Sequence, residues 1–564
     1  MSRHVRWQAV LALLGLILIG ALLSYATYTY TTEEVPARGG VYIEGVAGNP
    51  QYINPVLCQY NDVDRDLCAL VFNGLLRFDE RGNLQPDLAE SWEASPNSDV
   101  FTFTLRSDAR WHDGLRITAD DVLFTIGLLQ NPDLPILPDL AALWRSVLAT
   151  KVDDRTVVLK LSEPYAPFPD YTTVRWFGVL PKHYWQRYNP RDLTRAQLNT
   201  QPIGSGPFRV TEVDSQHLRL EPTLSGFSKQ PYLDALEFRF FPDYASILAA
   251  AGRGEIQGVS RILPENMAEA EAMPGLQLFT SALPGYSLIL LNLNSPNAPF
   301  LADKNVRQAL AYGLDRQRLV NEVISGAGIL ANSPILPSTW AANPDLPTYD
   351  YDLVRARKLL DEAGWVDSDG DGVRDKDGKP MEFILHTDDA PISQKVGQAI
   401  ARDWAALGVR ATPQAVSFSG LVSDLLVQRN YAAAVTSLEY IGDPDPYPLW
   451  HSTQLPPSGQ NYTGWSNRQA DIVMEQARRT GDRELRRQLY NQFQTLFAED
   501  LPAIMLYYPL ETYGASSAVK NMEVGRLNEP ADRFRSFADW YMLTRKVTQA
   551  ERRTRSLELD NLAK

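Results

Sequence analysis

Two rhythms of apolar and polar residues divide this chain. In the first half the period is two: in "DVFTFTLRSDARW", 99–111, Phe101, Phe103 and Leu105 fall on one face, as in a strand with one side buried. The alternation recurs in "TVVLKL", 156–161, and "LEFRFF", 236–241, while "RGGVYIEGVAGNPQYINPVL", 38–57, reads as a strand entering a loop. Between them "ITADDVLFTIGLLQ", 117–130, has helical spacing and opens on Thr118 with Asp121 three residues later, an acidic capping box.

From residue 303 helices and strands alternate. Val306, Leu310, Leu314 and Val320 recur with helical spacing, and "DLVRARKLLDEAG", 352–364, ends on a capping glycine, Gly364. Strands at 381–387, 409–416 and 431–440 are separated by helices at 393–408 and 419–430, a βαβαβ order. Such an order predicts a mainly parallel sheet with its ligand crevice at the strand carboxyl ends. A last helix, 482–500, precedes "LPAIMLYYPLETYG", 501–514, a strand expected to run back to the first half, and the tail is highly charged.

The amino terminus follows neither rhythm. Arg3 and Arg6 precede an apolar run, 9–23, and no further charge occurs until Glu33. This is an export signal, long enough to stay as an anchor through residues 7–30, with only a weak cleavage site at Ser24-Tyr25-Ala26. The charge order places everything beyond it outside the cytoplasm. A net charge of −14 excludes nucleic acid held by phosphate neutralisation, and 564 residues exceed one core, so two to four units are expected. The only cysteines, Cys58 and Cys68, are expected to form a disulfide in an oxidising compartment, with two buried thiols as the other reading.

Six blocks, in order, carry a resemblance: "LAESWEAS", "FTFTLRSDARWHDGLRITADDVLFTI", "GSGPFRV", "NVRQALAYGLDRQRLV", "GDPDPYPLWHS" and "NYTGWSNRQADIVMEQA". Together they resemble the family 5 extracytoplasmic solute-binding proteins of ATP-binding-cassette (ABC) importers for oligopeptides, dipeptides and nickel. The resemblance implies an α/β, two-lobed periplasmic-binding-protein-like fold of type II, with an extra subdomain in the first lobe. The leader or anchor then takes 1–36, lobe I takes 37–86, 203–290 and 506–545, the subdomain 87–202, lobe II 291–505 and a charged tail 546–564. It further implies capture of short peptides by hinge closure, delivery to permease subunits and their ATPases, a monomer, and no cofactor. A nickel chelate or an oligosaccharide is the alternative cargo.

In the family an aspartate of the second lobe pairs with the peptide ammonium. The matching block here, "EYIGDPDPYPLW", 439–450, differs in spacing and leaves both Asp443 and Asp445 open, against the reading of a rigid Asp-Pro turn. Tyr440, Tyr447, Trp450 and Trp465 are candidate cleft aromatics or ordinary core, and Asn49 and Tyr52 are first-lobe cleft candidates by analogy. His112 in "RWHDG" reads as part of a turn and Arg307 as a structural salt bridge. Asp367, Asp369, Asp371 and Asp375 fall at calcium-loop positions, but Gly378 replaces the closing Glu, so weak calcium binding competes with a solvated turn. An exported peptide hydrolase is the rival class, and no Gly-x-Ser-x-Gly or His-Glu-x-x-His pattern supports it.

Overall fold

A computed structural model describes residues 4–223, 229–439, 442–457 and 459–548. Lobe I is built on the strand Val41–Ala47, flanked in parallel by Ala235–Phe241 and Gly258–Ile262 and extended by the antiparallel strands His217–Pro222 and Phe208–Val213. In lobe II Glu382–Asp388 lies parallel to Arg410–Val416 on one side and Ala433–Glu439 on the other. The predicted helix at 419–430 is a single α turn, Phe418–Gly420, followed by wider π turns, Leu421–Leu426.

One long strand, Ala503–Ser516, belongs to both lobes. Its first half pairs antiparallel with Gly285–Leu291, and its second half pairs with Leu276–Ala282 and Gly258–Ile262. The twelve strands therefore form one continuous sheet, and the domain borders expected at 290 and 505 fall inside the two crossing strands. Between them Pro284 and Pro509 sit at the changeover, where Leu283 N–H donates to Pro509 O at 3.1 Å. Proline has no N–H to give a ladder, so these two positions bring no donor where the chain changes lobe, although Tyr507–Pro509 also pair with the strand Gly328–Leu330.

The strand Gly285–Leu291 is buried at every residue because both faces of the lobe II sheet are covered. Ile289 and Leu291 join Trp404 in one core, while Tyr286, Leu288 and Leu290 join Trp450, Phe493 and Phe497 in the other. Each such side chain contributes about 1.5–3 kcal/mol by leaving water. The subdomain is a four-stranded antiparallel sheet in which Phe101, Phe103 and Leu105 are buried as their alternation requires. Its helix Ala119–Leu129 opens on the expected capping box, Thr118 N–H donating to Asp121 Oδ2 at 2.9 Å.

Residues His4–Thr31 form a helix whose Leu11, Leu14, Ile17 and Leu18 are all exposed. Among residues with described side chains, no helix is long and apolar enough to cross a membrane. Without any linker the chain enters the strand Thr32–Ala37, which pairs antiparallel with the carboxyl-terminal strand Leu543–Thr548 in a separate two-stranded ladder. The tail expected from 546 thus begins inside a strand, and residues 549–564 lie outside the described residues.

The expected disulfide is corrected: Cys58 and Cys68 are free thiols, both buried. They hydrogen-bond to each other, and burial followed by that contact pushes the Cys68 thiol well above its ordinary range, which disfavours the thiolate needed for oxidation.

Candidate ligand-binding site at the lobe junction

A cavity of about 410 Å³ opens between the subdomain, lobe I and the loop of lobe II that reaches it. Lobe I and the subdomain supply Arg77, Phe78, Arg175, Trp176, Asn528 and Glu529, and Gly442 of lobe II closes one end. Gly442 has φ +52° and lies so close to Phe78 and Asp170 that a Cβ would collide with both. The volume lies within the range of small-molecule pockets, and the wall combines aromatic faces with charges of both signs.

The segment carrying Asn528 and Glu529 is pinned by a buried ion cluster. Arg533 Nη1 donates to Asp66 Oδ1 at 2.8 Å, and its Nε donates to Glu44 Oε1 at 3.1 Å. Glu44 sits in the central strand of lobe I and also accepts from Tyr42 and Tyr513 hydroxyls at 2.9 and 3.0 Å. Held in this way, Glu529 has its carboxyl pushed up to about 7 by burial, with Arg175 at 3.7 Å working against the shift. Asp87 on the same wall is raised to about 6 by burial, against hydrogen bonds from Asn73 at 2.9 and 3.1 Å. Sequence reasoning missed Arg175, Asn528 and Glu529; the only local signal was the Glu529–Asp532 capping pair in "NEPADR".

The sequence-derived candidates are distributed differently. Asp443 takes Arg486 Nη2 at 2.7 Å and the Tyr490 hydroxyl at 3.1 Å. Asp445 lies 2.9 Å from Arg478 Nε, an ion pair outside hydrogen-bond geometry. As a correction, neither carboxylate is free for an ammonium in this state, because each is buried against its own guanidinium. Trp450 and Trp465 are core residues, their indole N–H groups donating to Tyr286 Oη at 3.2 Å and Asp500 Oδ2 at 3.0 Å. Tyr447 stacks on His451 with centroids 4.1 Å apart, and Tyr440 lies outside the described residues.

Asn49 and Tyr52 occupy the loop after the first lobe I strand and do not line the cavity. The Asn49 carbonyl accepts from Asn61 Nδ2 at 3.1 Å, and Tyr52 N–H donates to Asp64 Oδ2 at 2.9 Å, which ties the loop to the following helix. His112 is structural: its Nδ1 accepts from Gly204 N–H at 3.2 Å, and burial lowers its pKa to about 4. Arg307 donates to four backbone carbonyls, those of Leu301, Ala302, Asp500 and Leu501, at 2.6–2.9 Å, in place of the expected salt bridge.

In the acidic loop Asp367, Asp369 and Asp371 place carboxylate oxygens within 4.8 Å of one another, all exposed, and Asp375 is not among them. Both Asp375 oxygens accept from the Ser368 hydroxyl at 2.7 and 2.8 Å, while Asp367 caps the Gly370 and Gly372 amides at 2.8 and 3.1 Å. Three of the four expected ligands thus lie together, while Asp375 is turned to Ser368, within a turn that satisfies much of its own backbone.

Residues 83–460 match the family model of bacterial extracellular solute-binding proteins, family 5. The oligopeptide-binding protein AppA of Bacillus subtilis is 30% identical over 481 residues, covering 84% of this chain and 87% of that protein. The dipeptide-binding protein of Escherichia coli is 27% identical over 517 residues, covering 87% and 92%. The solved structure of AppA with a nonapeptide superposes with TM-score 0.70 at 28% identity over 90% of this chain and all of that one. NikZ from Campylobacter jejuni with Ni(L-His) also gives TM-score 0.70, at 25% identity over 89% and 99%. Proteins of this family generally work without a cofactor. The chain belongs to the family 5 bacterial extracellular solute-binding proteins, and is a binding protein rather than an enzyme.

Proposed function

We propose that this protein captures short peptides outside the cytoplasm by hinge closure and hands them to the permease of an ABC importer. The observation that carries the reading is the shared fold with a nonapeptide-bound relative across nine-tenths of the chain, together with a junction cavity of suitable chemistry. A peptide brings an ammonium, a carboxylate and apolar side chains. Glu529 suits the first, Arg77 and Arg175 suit the second, and Phe78 and Trp176 suit the third. At about 410 Å³ the closed cavity suits a peptide of a few residues rather than nine.

The amino-terminal segment serves as an export leader or a membrane anchor: its described side chains from Val10 to Leu23 are apolar and almost all exposed. Anchoring keeps the binder near its permease and raises its effective concentration there. A thermal-shift screen of the full chain in detergent tests the reading with di- to pentapeptides, nickel–histidine and oligosaccharides. A cargo at a hundred times its Kd stabilises the folded form by about 2.7 kcal/mol. Shifts with peptides are expected; a shift confined to nickel–histidine or to sugars refutes peptide capture.

A further inference from the structure

The subdomain and lobe I grip lobe II at residues that lie outside the cavity wall. Ala166 N–H donates to Arg478 O at 2.7 Å across the junction, and both Arg483 Nη atoms lie 3.1 Å from Asn83 Oδ1. The Arg478 guanidinium stands 4.6 Å from the Tyr165 ring centroid and 4.2 Å from that of Tyr447, so one cation is clasped between an aromatic ring of each lobe. Asp170, buried in the subdomain, accepts from the backbone N–H of Asp443 in lobe II. Tyr165, Asp170 and Arg478 are all absent from the cavity lining.

We propose that Arg478 and Asp170 are positioning residues for ligand capture, forming an interlobe latch that sets how much of the protein is closed before ligand arrives. The inference rests on the hinge-closure reading above. Apparent affinity scales with the population of the competent state, so residues that never touch the cargo still control its capture. Arg478 seats in the rings only when the lobes meet, and a desolvated cation over aromatic faces gains more than an exposed one.

Asp170 gives the latch a pH dependence. It faces Asp443 as a like charge, with Arg486 and Arg483 as the cations that act on it. Burial first, and then Asp443, push its carboxyl well above the usual range, against the pull of Arg486. The closed form thus holds a proton that the open form releases, and closure weakens as pH rises through the raised pKa.

Hydrogen exchange of the segment 164–172, followed by mass spectrometry on the full chain in detergent, reads closure without any ligand, and calorimetry with a dipeptide mixture reads capture. Arg478→Ala should speed exchange by about tenfold and weaken dipeptide binding by the same factor, with Arg478→Lys restoring part of both. Tyr165→Leu, which removes the ring from the subdomain side alone, should act in the same direction. Asp170→Asn keeps an acceptor for the Asp443 amide and should flatten the dependence of protection on pH above the ordinary carboxylate range. Wild-type exchange in both Arg478→Ala and Tyr165→Leu, or a wild-type pH slope in Asp170→Asn, overturns the latch. If no dipeptide binds, the peptide reading fails, and the exchange data still decide the latch.

Discussion

Removing the Arg533 guanidinium should be among the most damaging single changes in lobe I. Its side chain is 3% exposed and stands between Glu44 and Asp66, exposed by 0% and 6%. Arg533→Ala leaves both carboxylates buried without their cation, a situation that costs about 3–5 kcal/mol. For a cooperative unit of lobe size this lowers the melting temperature by roughly 10 °C. Burial already pushes the Glu44 and Asp66 carboxyls up, with Arg533 working against it, so its loss raises them further. A raised native pKa means that the folded state holds protons the unfolded state gives up. The defect should therefore shrink as pH falls and grow as pH rises. Differential scanning calorimetry of the full chain at about pH 5 and pH 8 measures both effects, and Arg533→Met combined with Glu44→Gln and Asp66→Asn should recover most of the loss. A cost below about 1 kcal/mol, or one that does not change with pH, refutes the reasoning.

Two further outcomes follow from the same structure. Glu529 must be ionised to hold an ammonium, so peptide affinity measured by calorimetry should fall as pH drops through about 7, and Glu529→Gln should bind weakly and without that slope. Ending the chain at Met542 removes the strand paired with Thr32–Ala37, and hydrogen exchange of residues 33–37 should then lose its protection while the lobes keep theirs.

The elements were legible where one physical pattern dominates. Alternation placed Phe101, Phe103 and Leu105 on the buried face of a strand, and the Thr118–Asp121 pair started its helix as read. Helical spacing identified 393–408, whose Trp404 lies in the lobe II core. At 419–430 the same spacing gave no warning of π turns, because a pattern of apolar positions constrains the face of a coil better than its exact winding. The candidate site was legible as a region only. Gly442 does close the cavity, but its neighbours Asp443 and Asp445 turn away to Arg486 and Arg478, which lie some thirty to forty residues later in the chain and carry no sequence mark of that pairing.

By itself the sequence determined the period of each segment, the apolar run at the amino terminus and the family resemblance, since these depend on neighbouring residues and on the order of blocks. Only the tertiary structure decided that one strand serves both lobes, that the cysteines stay as thiols, and which carboxylates face the cavity. Those outcomes depend on what each buried charge meets across the fold: Asp443 and Asp445 are buried against Arg486 and Arg478 away from the cavity, whereas Glu529, raised by burial and held 3.7 Å from Arg175, lies in the cavity wall.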